Sequence, residues 1–233
     1  MRRRRGLVPG ALALTLALGL LVIAGGARAS TTLDFVSFDS IDYIRWAEEP
    51  GRALSASDLG VEFATIGCSI GEDVRGCPYG VDAGAAFMPA GTRLYAVRGY
   101  ATEFRLAAVW HDRIFLYQAW RNPRARTGGD LFDIVGKVAA IDVQRGEPTQ
   151  TGARPPVTIR LREDVDALVD LIVHAPMRRP LAHAVGETRY WLTLWLQDGT
   201  SLGRPYFVET SELLGGVVMP AGFRAILDHY LSE

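Results

Sequence analysis

From Ala86 to Trp120 the chain alternates large apolar side chains with polar or small ones at a period of two. Three turn-forming clusters interrupt the pattern, at Pro89-Ala90-Gly91-Thr92, Arg98-Gly99-Tyr100 and His111-Asp112-Arg113. The spacing predicts three consecutive strands joined by tight turns. The third, Ile114 to Trp120, is apolar on both faces except at Gln118, as expected of a strand covered on both sides. Upstream, Leu33–Phe38, Ile41–Trp46 and Gly60–Ile66 have the same character, with Val61, Phe63 and Thr65 on one face. Downstream, 136–145 gives one more strand. No helical periodicity occurs between Ser30 and Arg145.

Beyond the Pro- and Gly-rich stretch 146–156 the period changes. Val165, Leu168, Val169 and Ile172 keep helical spacing, and Glu163, Asp164 and Asp166 place negative charge in that helix's first turn, where its dipole favours it. Thr188–Gln197 and Ser201–Glu209 are strands joined at Asp198-Gly199, a type I′ hairpin signal. Leu213–Met219 is a further extended run. Pro220 then opens a helix carrying Phe223, Ile226, Leu227, Tyr230 and Leu231. The expected fold class is α+β. A β-rich domain over 30–145 is followed by a linker over 146–156 and a β-α-β-β-β-α domain over 157–233, with its helices on one sheet face.

The first 29 residues read as a targeting segment. Arg2–Arg5 form a positive start, 6–26 is uncharged, and Ala27-Arg28-Ala29 offers a cleavage site before Ser30. An uncut segment of this length would also suffice as a membrane anchor, since about 20 apolar residues span a bilayer. In either case the remainder faces outward, and membrane contact is confined to residues 6–26. The expected location is extracytoplasmic, secreted or anchored. Of the 25 basic residues five leave with the segment, while all 26 acidic ones stay. The remaining chain is therefore mildly acidic, which argues against a nucleic-acid partner.

Cys68 and Cys77 are the only cysteines. In an oxidising compartment such a pair is expected to form a disulfide, closing a small glycine-bearing loop. Gly67-Cys68-Ser69-Ile70-Gly71 matches the G-x-S-x-G pattern of hydrolase nucleophile elbows. That chemistry needs a helix directly after the serine, and Gly71, Gly76, Pro78 and Gly80 oppose one. His111, His174, His183 and His229 lack metal-binding spacing and are expected as surface or capping residues. Glu72, Asp73 and Asp82 are read as a solvated acidic loop rather than a Ca²⁺ site. No metal, cofactor or catalytic residue is expected.

Trp191, Thr193 and Trp195 share one face of a strand, the opposite face being Tyr190, Leu192, Leu194 and Leu196. Left open, that face is a candidate ligand platform for sugar rings or a peptide. With both faces apolar, cover by the first half of the chain is the favoured expectation.

The stretches MPAGTRLYAVRGYATEFRLAA (88–108) and RYWLTLWLQDGTSLGRPYFVETSELLGGVVMP (189–220) resemble those of a family of uncharacterised exported proteins of Gram-positive bacteria. The resemblance covers about a quarter of the chain and rests on turns and core strands. It implies export and carries over no catalytic residue. Together these readings point to a non-catalytic binding or regulatory module of the cell envelope, partnered by an envelope protein or wall polymer. The alternatives are a small extracytoplasmic serine hydrolase using Ser69 and a membrane-anchored subunit of an envelope complex.

Overall fold

A computed structural model describes residues 33–46, 50–73, 75–148, 154–181, 183 and 186–232. The expected targeting segment, 1–29, lies outside them. Among the described residues no helix is long and apolar enough to cross a membrane.

The fold is mixed α+β and strand-rich, with two sheets and two α-helices. The first sheet contains β1 (Asp34–Phe38), β2 (Ile41–Arg45), β3 (Leu59–Thr65), β4 (Cys68–Ser69), β5 (Gly84–Ala85), β6 (Arg93–Val97), β7 (Arg105–Trp110) and β8 (Arg113–Arg121). Their order is β3-β6-β7-β8-β2-β1-β5-β4, antiparallel except for the β4–β5 pair. The expected three-strand unit is β6-β7-β8, and β8 is internal as its two-sided pattern requires. Asp39-Ser40 and His111-Asp112 turn their hairpins with φ between 48° and 65°, the left-handed pairs that suit the twist of adjoining strands. β3 is an edge strand whose Val61, Phe63 and Thr65 face solvent. Its pairing with β6 is broken by two register shifts, which discourage a further strand from adding there.

The second sheet holds β9 (Val138–Arg145), β10 (Val157–Ile159), β11 (Arg189–Leu196), β12 (Ser201–Phe207), β13 (Glu212–Leu213) and β14 (Val217–Val218). It runs antiparallel throughout in the order β10-β9-β11-β12-β13-β14. Helices α1 (Arg162–His174) and α2 (Ala221–Ser232) pack on each other and on β9. The faces sort as the sequence pattern requires. Tyr190, Leu192, Leu194 and Leu196 are buried, and Tyr190 donates a 2.7 Å hydrogen bond to Asp228 of α2.

Three expectations are corrected. The boundary at 146–156 does not divide the chain into two domains, because β9 before it and β10 after it are antiparallel neighbours with Ile159 opposite Ile141. Residues 32–233 form one compact unit, and one apolar core runs from Val36 and Leu106 to Leu192 and Phe223. The hairpin at Asp198-Gly199 is not type I′, since only Gly199 has positive φ, at 82°. Bonds from Gly199 N to Leu196 O and from Leu196 N to Thr200 O make it a three-residue turn with a glycine bulge. The Leu213–Met219 run is two short strands, β13 and β14, separated by a turn at Gly215 and Gly216 with φ of 114° and 93°.

Buried polar side chains tie the sheets together. Arg105 of β7 has no solvent exposure, donates 2.7 Å bonds to Thr200 Oγ1 and Ser201 O, and stacks over Tyr100 and Phe104. Gln118 of β8 donates to the same Ser201 carbonyl. In return Arg204 of β12 donates to Ala119 O of β8. Buried polar groups are tolerated only when hydrogen-bonded, so each of these contacts fixes where one sheet meets the other.

Candidate functional site: an aromatic cavity over the second sheet

The face of the second sheet that turns away from Tyr190 and Leu192 carries a row from each of three strands. In register, Trp191 lies between Gln144 and Pro205, and Thr193 between Asp142 and Gly203. Period-two geometry puts all of them on one side. Trp191 and Trp195 are partly buried, Thr193 and Gln144 more deeply.

Above this floor is a cavity of about 750 Å³, within the range of about 300–1,000 Å³ usual for small-molecule sites. Trp46, immediately after β2, lines it together with Pro50, Glu147, Pro148 and Pro156. Of the described residues in the first half of the chain, 30–145, Trp46, Pro50, Asp142 and Gln144 line this hollow, so the expected cover of the Trp face is met in part.

Trp191 lies flat because β12 has glycine at 203. A Cβ there would sit 3.1 Å from Trp191 Cζ2 and 3.4 Å from its Nε1, so even alanine would make the indole give by a few tenths of an ångström and a bulkier residue would displace it further. Trp46 stands nearly perpendicular to it, with ring centroids 5.4 Å apart at 83°. Floor and wall form an aromatic corner. Trp195 is fixed differently: its indole N–H donates a 2.8 Å bond to Asp142 Oδ2. Asp142 Oδ1 is shielded from solvent and has no hydrogen-bond partner, and among the described residues no cation pairs with this carboxylate. Glu147 and Arg189, by contrast, neutralise each other in an ion pair.

Phe207 completes the floor, and the His183 ring stacks on it, 3.4 Å away and parallel within 2°. His183 lies 3.0 Å from Glu187 and 3.3 Å from Glu212. Glu212 has no exposure and also receives Arg178 and the Leu181 N–H. His183 is therefore not the surface or capping histidine expected, but a mostly buried ring held between two carboxylates.

Cys68 and Cys77 form a disulfide, with Cα atoms 5.6 Å apart. Ser69 lies in β4, is 2% exposed, and is followed by a turn rather than a helix. A nucleophile elbow is not formed. Glu72, Asp73 and Asp82 do not converge: each accepts from a different backbone amide, of Ala90, of Arg75 and Gly76, and of Asp39. Among the described residues no cluster of three or more His, Cys, Asp or Glu side chains is arranged to hold a metal. His111 stacks on Trp110 in a hairpin turn and His174 bonds back to Asp170, both apart from the cavity.

The chain matches no family model, no curated protein and no solved structure. Its own chemistry must carry the reading. Trp191, Thr193 and Trp195 are brought together as the sequence pattern implied. Trp46, Asp142, Gln144, Gly203 and Phe207 join them without having been singled out beforehand. The only local hint was the period-two alternation of β9 and β12, which faces Asp142 and Gln144, or Gly203 and Pro205, to one side.

Proposed function

We propose that this chain is an exported, non-catalytic binding module of the cell envelope whose ligand sits in the aromatic cavity over β11. The observation that carries the reading is the corner formed by Trp191, laid flat over Gly203, and Trp46 beside it. Partly buried aromatic rings that line a hollow of this size offer a ligand apolar surface to cover. The arginine-rich start, the uncharged run and the Ala27-Arg28-Ala29 exit support export. The resemblance to exported Gram-positive proteins points the same way.

Three of the five tryptophans line the cavity, so intrinsic fluorescence reports on it directly. The protein beginning at Ser30 is titrated with chitooligosaccharides, proline-rich peptides and small organic cations. A saturable change in emission that Trp191→Ala abolishes while the fold persists by circular dichroism supports the reading. No saturable change with any probe overturns it. N-terminal sequencing of the protein recovered from cells distinguishes a secreted form beginning at Ser30 from an anchored subunit retaining Met1.

A further inference from the structure

The cavity's electrostatics select among ligands. Among the described residues, the charged ones that line it are Asp142, Glu147 and Arg189. The last two cancel across their ion pair, which leaves one carboxylate without a counter-charge. The same cavity is lined by the rings of Trp46, Trp191 and Phe207, and the face of an aromatic ring is also negative. The described residues of the lining therefore favour a positive ligand group.

The hydrogen-bonding supply narrows the choice. Asp142 Oδ2 is already engaged by Trp195, Asp142 Oδ1 is shielded, Gln144 and Thr193 are the uncharged polar side chains of the lining, and four prolines, at 50, 148, 156 and 205, add apolar wall. A sugar brings several hydroxyls, each costly to bury without a partner. A primary ammonium brings three N–H donors with the same need. An ammonium whose hydrogens are all replaced by alkyl groups carries the charge and asks for no hydrogen bond. Aromatic corners with a nearby carboxylate suit it.

We propose that the cavity binds a quaternary ammonium group, held against Trp46 and Trp191 with Asp142 as its counter-charge. The inference rests on the binding-module reading and names the ligand class for the same site. The remaining volume accommodates the rest of the molecule. A free solute and a lipid headgroup share this chemistry, and the test separates them.

The protein beginning at Ser30 is titrated by calorimetry and tryptophan emission with choline, with its neutral isostere 3,3-dimethylbutan-1-ol, and with chitotriose. Choline is expected to bind roughly ten- to thirty-fold more tightly than the isostere. Asp142→Asn retains an acceptor for Trp195 and is expected to erase most of that difference by weakening choline binding. Sedimentation with phosphatidylcholine vesicles, competed by free choline, assigns the headgroup source; choline binding without vesicle binding assigns a free solute. Equal affinity for choline and isostere overturns the proposal without use of any variant, as does an Asp142→Asn protein that still prefers choline. If chitotriose binds through Trp191 and choline does not, the ammonium assignment falls and the binding module stands. If none binds, both fall.

Discussion

Replacing Arg105 with Met is the sharpest test of how the two sheets are joined. The substitution keeps an apolar stem of similar reach and removes a guanidinium that has no solvent exposure. Lost are 2.7 Å bonds to Thr200 Oγ1 and Ser201 O, each worth about 1.5–3 kcal/mol for a charged donor. Lost too are the stacking contacts with Tyr100 and Phe104, about 0.5–1 kcal/mol apiece. Against this, the variant no longer desolvates a cation, a penalty of several kcal/mol. The groups left behind are partly provided for. Ser201 O still receives Gln118, and Asp198, 3.9 Å from Arg105 and a quarter exposed, still receives the Thr200 amide and hydroxyl. The net loss is therefore expected at about 2–4 kcal/mol, below the 3–5 kcal/mol typical of stranding a buried charge. For a domain of this size that is a fall in Tm of roughly 5–12 °C. Urea denaturation should show a lower midpoint with unchanged slope. A double-mutant cycle with Thr200→Val should return a coupling of about 1–2 kcal/mol. A loss under about 1 kcal/mol, or a coupling near zero, would refute the claim that Arg105 pins the β11–β12 turn to the first sheet.

Three further outcomes are expected. Replacing both Cys68 and Cys77 by Ser opens a loop with a sequence separation of 9 and should cost about 2–3 kcal/mol, read as a drop in Tm that reductant reproduces in the parent protein; equal Tm with and without reductant would contradict it. Burial raises the phenols of Tyr43 and Tyr117, and lifts Tyr100 to about 12. Because the folded state holds these protons more tightly, their contribution is complete below the ordinary tyrosine value near 10 and is lost as pH rises toward 12. Absorbance at 295 nm should accordingly show a late, cooperative fraction that coincides with unfolding, whereas titration of all eight tyrosines in one step near pH 10 would count against it. Gly203→Val should displace the Trp191 indole and red-shift tryptophan emission, yet change stability by under about 2 kcal/mol because the ring can move into open space; unchanged emission would show that the ring does not depend on glycine at 203.

Short-range patterns carried most of the local structure. The β6-β7-β8 unit follows period-two alternation and its turn residues. The helix expected from Val165, Leu168, Val169 and Ile172 is α1, and Pro220 opens α2. These features depend on neighbours a few residues apart. Contacts between residues far apart in the sequence were not legible. Pro- and Gly-rich composition over 146–156 signals an irregular connection, but it cannot distinguish a link between domains from a crossing between two strands that pair. Trp46 meets Trp191, Ser201 meets Pro50, and Arg105 meets Thr200, and no periodicity encodes such meetings. His183 illustrates the same limit: a lone histidine in a polar stretch gives no sign that Glu187, Glu212 and Phe207 close around it.

The pairing of β9 with β10 has a practical consequence for anyone cutting or rebuilding this chain. A break introduced near residue 150 would leave Trp46, Asp142 and Gln144 on one fragment and Trp191, Gly203 and Phe207 on the other. Neither fragment would own a whole recess, and each would bare a strand flank made to be zipped against its counterpart. The pieces should stay apart and silent when diluted, and regain a shared hollow only on reassociation. The chain is thus suited to a split reporter rather than to dissection into halves.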